Sequence, residues 1–92
     1  MPYVCYKVVV TGIVQGVAFR ASMRDVAIEH GVRGWVRNRD DGVVLSILQG
    51  EEADVEKVVE WARKGPRAAK VKGVRKERLQ NYPPQSGFRI VD

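Results

Sequence analysis

One cysteine and one histidine in 92 residues remove two chemistries at once. A lone Cys5 forms no intramolecular disulfide, which fits a reducing compartment, and there is no histidine pair or cysteine cluster to hold zinc. No stretch nears the roughly 20 apolar residues of a membrane-spanning helix. No charged segment followed by an apolar core marks a secretory start. A cytoplasmic protein without membrane association is therefore expected. The chain also lacks low-complexity tracts, linkers and residue-level repeats, so residues 1–92 are expected to form one domain. With 45% hydrophobic and 29% charged residues, the balance suits a folded core rather than disorder.

Acidic side chains are outnumbered, 11 against 16 basic ones, for a net charge of +5. Such a balance suits nucleic acid, an acidic protein or a small anion. The cations are spread along the chain, and Lys72, Arg75, Lys76 and Arg78 alternate with other residues on an apparent strand. They read as a solvated face.

Tyr3 to Ile13 is rich in valine and tyrosine, which predicts a first strand with alternate residues in the core. From Phe19 the period changes: Phe19, Met23, Val26, Ala27 and His30 recur at helical spacing, and Gly31 is a C-terminal stop. His30 reads as a packing or capping residue. Val32 to Arg37 and Val43 to Leu48 predict two antiparallel strands joined through Asp40-Asp41-Gly42. Glu51, Glu52 and Asp54 suit a helix N-terminus, and Val55, Val58, Val59 and Ala62 form its apolar stripe before Gly65-Pro66 ends it. Val71 to Leu79 reads as a half-exposed strand, Asn81-Tyr82-Pro83-Pro84 as a break, and Phe88 to Val91 as a short last strand. The order β-α-β-β-α-β plus a terminal strand closes most simply as an α+β, ferredoxin-like sandwich. It has one antiparallel sheet with both helices on a single face.

The run Gly12-Ile13-Val14-Gln15-Gly16-Val17-Ala18-Phe19-Arg20 lies between the first strand and the first helix. A strand turning through glycine into a helix leaves backbone N–H groups unpaired at the helix's positive end, which makes an anion cradle. Arg20 in the first helical turn is locally unfavourable by up to about 1 kcal/mol, yet its planar fork matches two phosphate oxygens. The run is neither a Walker A loop nor a dinucleotide fingerprint. Gly34-Trp35-Val36-Arg37-Asn38 adds a neutral carboxamide that holds water or substrate without adding charge. Taken alone, Asn38 before Asp-Asp-Gly is equally a turn residue. Together the two segments suggest phosphoryl chemistry without a metal.

These two segments, with Gly42, Val44 and Gly50 behind them, closely resemble the signature motifs of the acylphosphatase family. The likeness continues through Gly31, Gly65-Pro66, Ala69, Val71 and Phe88-Arg89-Ile90. It implies hydrolysis of an acyl phosphate to a carboxylate and inorganic phosphate. The amides of Gln15, Gly16, Val17, Ala18, Phe19 and Arg20 and the Arg20 guanidinium would bind the phosphoryl group, and Asn38 would position the attacking water. No cofactor or metal is implied, and a monomer is expected.

Two other readings stay open on the residues alone. RNA-recognition domains share this element order but stack bases on aromatics of the first and third strands. Here the third strand has none, and Tyr3 and Tyr6 have opposite parity, so nucleic acid is not an expected partner. A domain that senses phosphate through the same loop, without turnover, is the other. Cys5, Trp35 and Trp61 read as packing residues, and Asp40 and Asp41 as a solvated hairpin.

Overall fold

The computed structural model describes residues 2–92. Its elements run β1 (Tyr3–Ile13), α1 (Phe19–Glu29), β2 (Arg33–Asn38), β3 (Val44–Glu51), α2 (Glu52–Ala62), β4 (Lys70–Arg78) and β5 (Phe88–Ile90). This is the expected order, and the architecture is the ferredoxin-like α+β sandwich.

The alternation in β1 turns Val4, Tyr6, Val8 and Val10 into the core and leaves Cys5, Lys7 and Val9 half-exposed on the other face. Helix α1 adds Phe19, Met23 and Ala27, and α2 adds Val55, Val58, Val59 and Ala62, all to one continuous core. Each fully buried valine or larger apolar side chain contributes about 1.5–3 kcal/mol relative to exposure. The rings of Phe19 and Trp61 meet at 5.2 Å and 56°, which joins the two helices. Glu52 and Asp54 occupy the first turn of α2, where negative charge meets the positive end of the helix dipole. His30 is the C-cap of α1.

The sheet order is β4-β1-β3-β2-β5. The first four strands pair antiparallel, as expected, whereas β5 joins β2 in parallel, so the sheet is mixed. The reason lies in the connection. The chain leaves β4 at one sheet edge and must reach the opposite edge, so it crosses the helix-free face and arrives running in the direction of β2. Gln49, only 5% exposed, holds this strap from both ends of its amide. Its Nε2 donates to Pro83 O at 2.9 Å, and its Oε1 accepts from Gln85 N at 2.8 Å. Trp35 Nε1 donates to Tyr82 Oη at 3.2 Å.

Strand limits depart from expectation in an instructive way. β3 continues three residues past Leu48 because Cys5, Val4 and Tyr3 pair with Gln49, Gly50 and Glu51, so a neighbouring strand keeps Gly50 extended. Asn38 ends β2 opposite Val44 instead of opening the turn.

Candidate active site

β1 and β2 flank β3 and run in the same direction, so their C-terminal ends emerge together. Val10 and Asn38 both pair with Val44, which sets the two outer strands about 10 Å apart at two interstrand spacings. The chain after β1 then turns over this end of the sheet. A recess of about 180 Å³ results, lined by Val14, Gly16, Ala18, Phe19, Arg20, Ala21, Asn38 and Ile90.

The loop that forms the recess is held in an unusual backbone shape. Gly16 has φ 76°, and Ala18, the N-cap of α1, has φ 64° and ψ 26°. A left-handed alanine costs on the order of 1–2 kcal/mol, and such strain persists where the surroundings over-determine it. Two left-handed residues separated by one are the kind of turn from which anion-binding nests are built. Ala18 has no side-chain cap to offer the helix, and α1 carries no acid in its first turn. The amides at this end are therefore left to an outside acceptor. Arg20 is half-buried and has no ion-pair partner among the described residues.

Asn38 stands across the recess on a rigid strand end. Its Oδ1 is buried and finds no hydrogen-bond partner among the described residues, an arrangement that costs about 1–3 kcal/mol unless a donor from outside the protein fills it.

The expected site residues divide in the structure. Gly16, Ala18, Phe19, Arg20 and Asn38 line the recess, although Phe19 is only 1% exposed and belongs to the core. Gln15 and Val17 do not line it. Val17 packs against the core, and the Gln15 carboxamide turns to the β2–β3 hairpin, where Nε2 lies 2.8 Å from Arg39 O and 2.9 Å from Val43 O. Val14, Ala21 and Ile90 join the recess without having been foreseen. Ile90 carries no local signal, since only the strap across the sheet brings it there.

The other residues weighed from sequence stay outside the recess. Burial pushes the Cys5 thiol above its ordinary value, against a smaller opposing effect of its contact with Gln49. Asp41 is held below the usual carboxylate range, chiefly by hydrogen bonds from the Arg39 guanidinium. No three His, Cys, Asp or Glu side chains converge on a metal-sized point among the described residues. A larger groove of about 520 Å³ lies on the helix-free face, lined by Lys7, Val9, Arg39, Arg75, Lys76 and Glu77. Of its cations, Arg39 is already paired with Asp41 and Lys7 with Glu77. Tyr6 is buried under the helices while Tyr3 is exposed, so the first strand presents no aromatic pair to a nucleic acid.

The chain is similar in sequence and in backbone to known proteins. The family model described as acylphosphatase matches residues 6–90. An acylphosphatase of Pelotomaculum thermopropionicum is 50% identical over 85 residues, covering 91% of each chain. The structure superposes on an acylphosphatase from Coxiella burnetii with a TM-score of 0.92 at 37% identity, over 97% of this chain and 93% of that one. For the acylphosphatase from Bacillus subtilis the TM-score is 0.93 at 32% identity, over 97% and 99%. Sharing half of the aligned residues with one acylphosphatase and its backbone with two others, over nearly its whole length, this chain belongs to the acylphosphatase family.

Proposed function

We propose that this enzyme, which hydrolyses acyl phosphates to a carboxylate and inorganic phosphate, holds the phosphoryl group in the Gln15 to Arg20 loop and aims the attacking water with Asn38. The observation that carries the reading is that Asn38, its Oδ1 buried and unpaired, lines the same recess as the left-handed loop and Arg20.

The phosphoryl oxygens sit against the loop amides and the Arg20 fork, where a positive helix end and a guanidinium act together. Water held by Asn38 attacks phosphorus as the acyl oxygen departs. The P–O bond to the acyl group breaks, a P–O bond to water forms, and the products are a carboxylate, hydrogen phosphate and one proton released to solvent. A carboxylate leaves without being protonated. A loose phosphoryl transition state asks little of its nucleophile beyond alignment. A neutral amide suffices for that task, and no cofactor or metal enters the proposed step.

The family model over residues 6–90 supports residues 1–92 as one acylphosphatase-like domain, with a monomer as the proposed working unit. The sole cysteine, which has no second thiol to pair with in this chain, supports a cytoplasmic setting. No helix among the described residues is long and apolar enough to cross a membrane.

Hydrolysis of benzoyl phosphate in EDTA tests the assignment. Arg20→Ala and Asn38→Ala are each expected to lower kcat by about 10²-fold or more, the effect of removing one transition-state contact. Arg20→Lys is expected to recover only part of the loss, because an ammonium lacks the bidentate fork. Full turnover in either alanine variant would remove that residue from the mechanism.

A further inference from the structure

We infer that the Gln15 side chain is a positioning residue that couples the phosphate loop to Asn38. The inference rests on the proposed role of Asn38 as the holder of the attacking water.

Gln15 sits one residue before the left-handed Gly16, yet its carboxamide points away from the recess. Nε2 reaches two carbonyl oxygens, Arg39 O at 2.8 Å and Val43 O at 2.9 Å. Both partners only accept, so the NH₂ end must face them and both of its hydrogens are committed. These two carbonyls form the base of the β2–β3 turn. Arg39 N donates to Val43 O at 2.9 Å, and Gly42 N donates to Arg39 O at 3.0 Å. Arg39 follows Asn38 directly, and Val43 precedes Val44, the partner of Asn38 across the ladder. Gln15 thus fastens the loop to both strands of the hairpin, one residue on the turn side of the Asn38–Val44 pair.

Beyond the strand they share, β3, no other hydrogen bond among the described residues joins the loop to the β2–β3 hairpin. The turn tip, Asp40, Asp41 and Gly42, is exposed, and its one ion pair, Arg39 with Asp41, lies at the surface. Phosphate binding uses groups within the loop and the first turn of α1, which are fixed by local backbone. Water attack instead needs the loop and Asn38 in a set relation. Loss of the Gln15 bridge therefore acts on alignment and spares affinity, and a displacement near 1 Å is enough to cost about 10²-fold in rate.

The test compares Gln15→Leu, which keeps bulk but removes both donors, with the isosteric Gln15→Glu, which offers acceptors to two carbonyls. Each is made in the full chain and in the Asn38→Ala background. Folding is checked by far-UV circular dichroism, and the readouts are kcat for benzoyl phosphate and the inhibition constant of inorganic phosphate. If one variant does not fold, the other carries the comparison. Expected is a fall in kcat of about 10–100-fold in the single variant. The inhibition constant should stay within about threefold, with no more than about threefold further loss of kcat when Asn38 is already alanine, as for residues acting through one another. Unchanged kcat in a folded Gln15 variant, with Asn38→Ala impaired, would overturn the coupling alone. A phosphate inhibition constant that weakens as much as kcat falls would overturn it too, by making Gln15 a support of the loop. So would full multiplication of the two losses in the double variant. Full activity of Asn38→Ala would overturn the reading beneath it.

Discussion

Replacing Gly34 by alanine is expected to destabilise the fold by about 2–6 kcal/mol, and the structure supplies the parts of that sum. Gly34 lies inside β2 with φ +140°, between Leu48 of β3 and Phe88 of β5. A Cβ built there would meet Ile47 O at 1.8 Å and Ile47 C at 2.8 Å, both backbone atoms of the neighbouring strand with no room to yield. Alanine must therefore move towards negative φ. That rotation swings the Gly34 N–H away from Gly87 O, which it now meets at 2.9 Å. Losing a buried donor's partner costs about 1–3 kcal/mol, and holding residual strain costs about 1–3 more. Against a total stability of about 5–15 kcal/mol, the variant should lose at least about 8 °C in Tm, at about 4–8 °C per kcal/mol for a chain this small. Urea and thermal denaturation followed by far-UV circular dichroism measure both quantities. A loss below about 1 kcal/mol would refute the reasoning, since it would mean that β2 accepts a Cβ without giving up its pairing.

Gln49→Leu removes both hydrogen bonds that hold the strap and leaves Pro83 O and Gln85 N without those partners; a cost of about 1–3 kcal/mol is expected. Faster amide exchange confined to residues 80–87 and β5 would mark the release, and unchanged exchange there would show that Tyr82 and the prolines suffice. The Arg39 and Asp41 pair is expected to matter only at low salt and only while Asp41 is ionised. Because Asp41 titrates below its ordinary value, chiefly through hydrogen bonds from Arg39, its contribution is present above the unfolded carboxylate pKa and fades as pH falls through the lowered folded one. Both side chains are exposed, so Asp41→Asn should leave Tm unchanged at neutral pH in high salt. A clear drop under those conditions would show that the pair shapes the hairpin.

The two helices were legible because a 3.6-residue period is written locally: Phe19, Met23 and Ala27, then Val55, Val58, Val59 and Ala62, face the core as their spacing predicts. The left-handed turn into α1 was legible for the same reason, since glycine and a helix start lie within nine residues of chain. Strand limits were less so. Gly50 reads as a break to its neighbours in sequence, and it stays extended because Val4 pairs with it from 46 residues away.

By itself, then, the sequence determined the order of elements, the buried stripes, the turn into the first helix and the resemblance carried by two motifs, all properties of residues near one another along the chain. Only the tertiary structure decided that Asn38 closes a recess with Arg20, that Ile90 walls it, that Gln15 turns to the hairpin, and that Gln49 straps the chain to a parallel fifth strand. Those outcomes depend on which strands pair and in what direction, which hydrogen bonding and burial settle between residues distant in sequence.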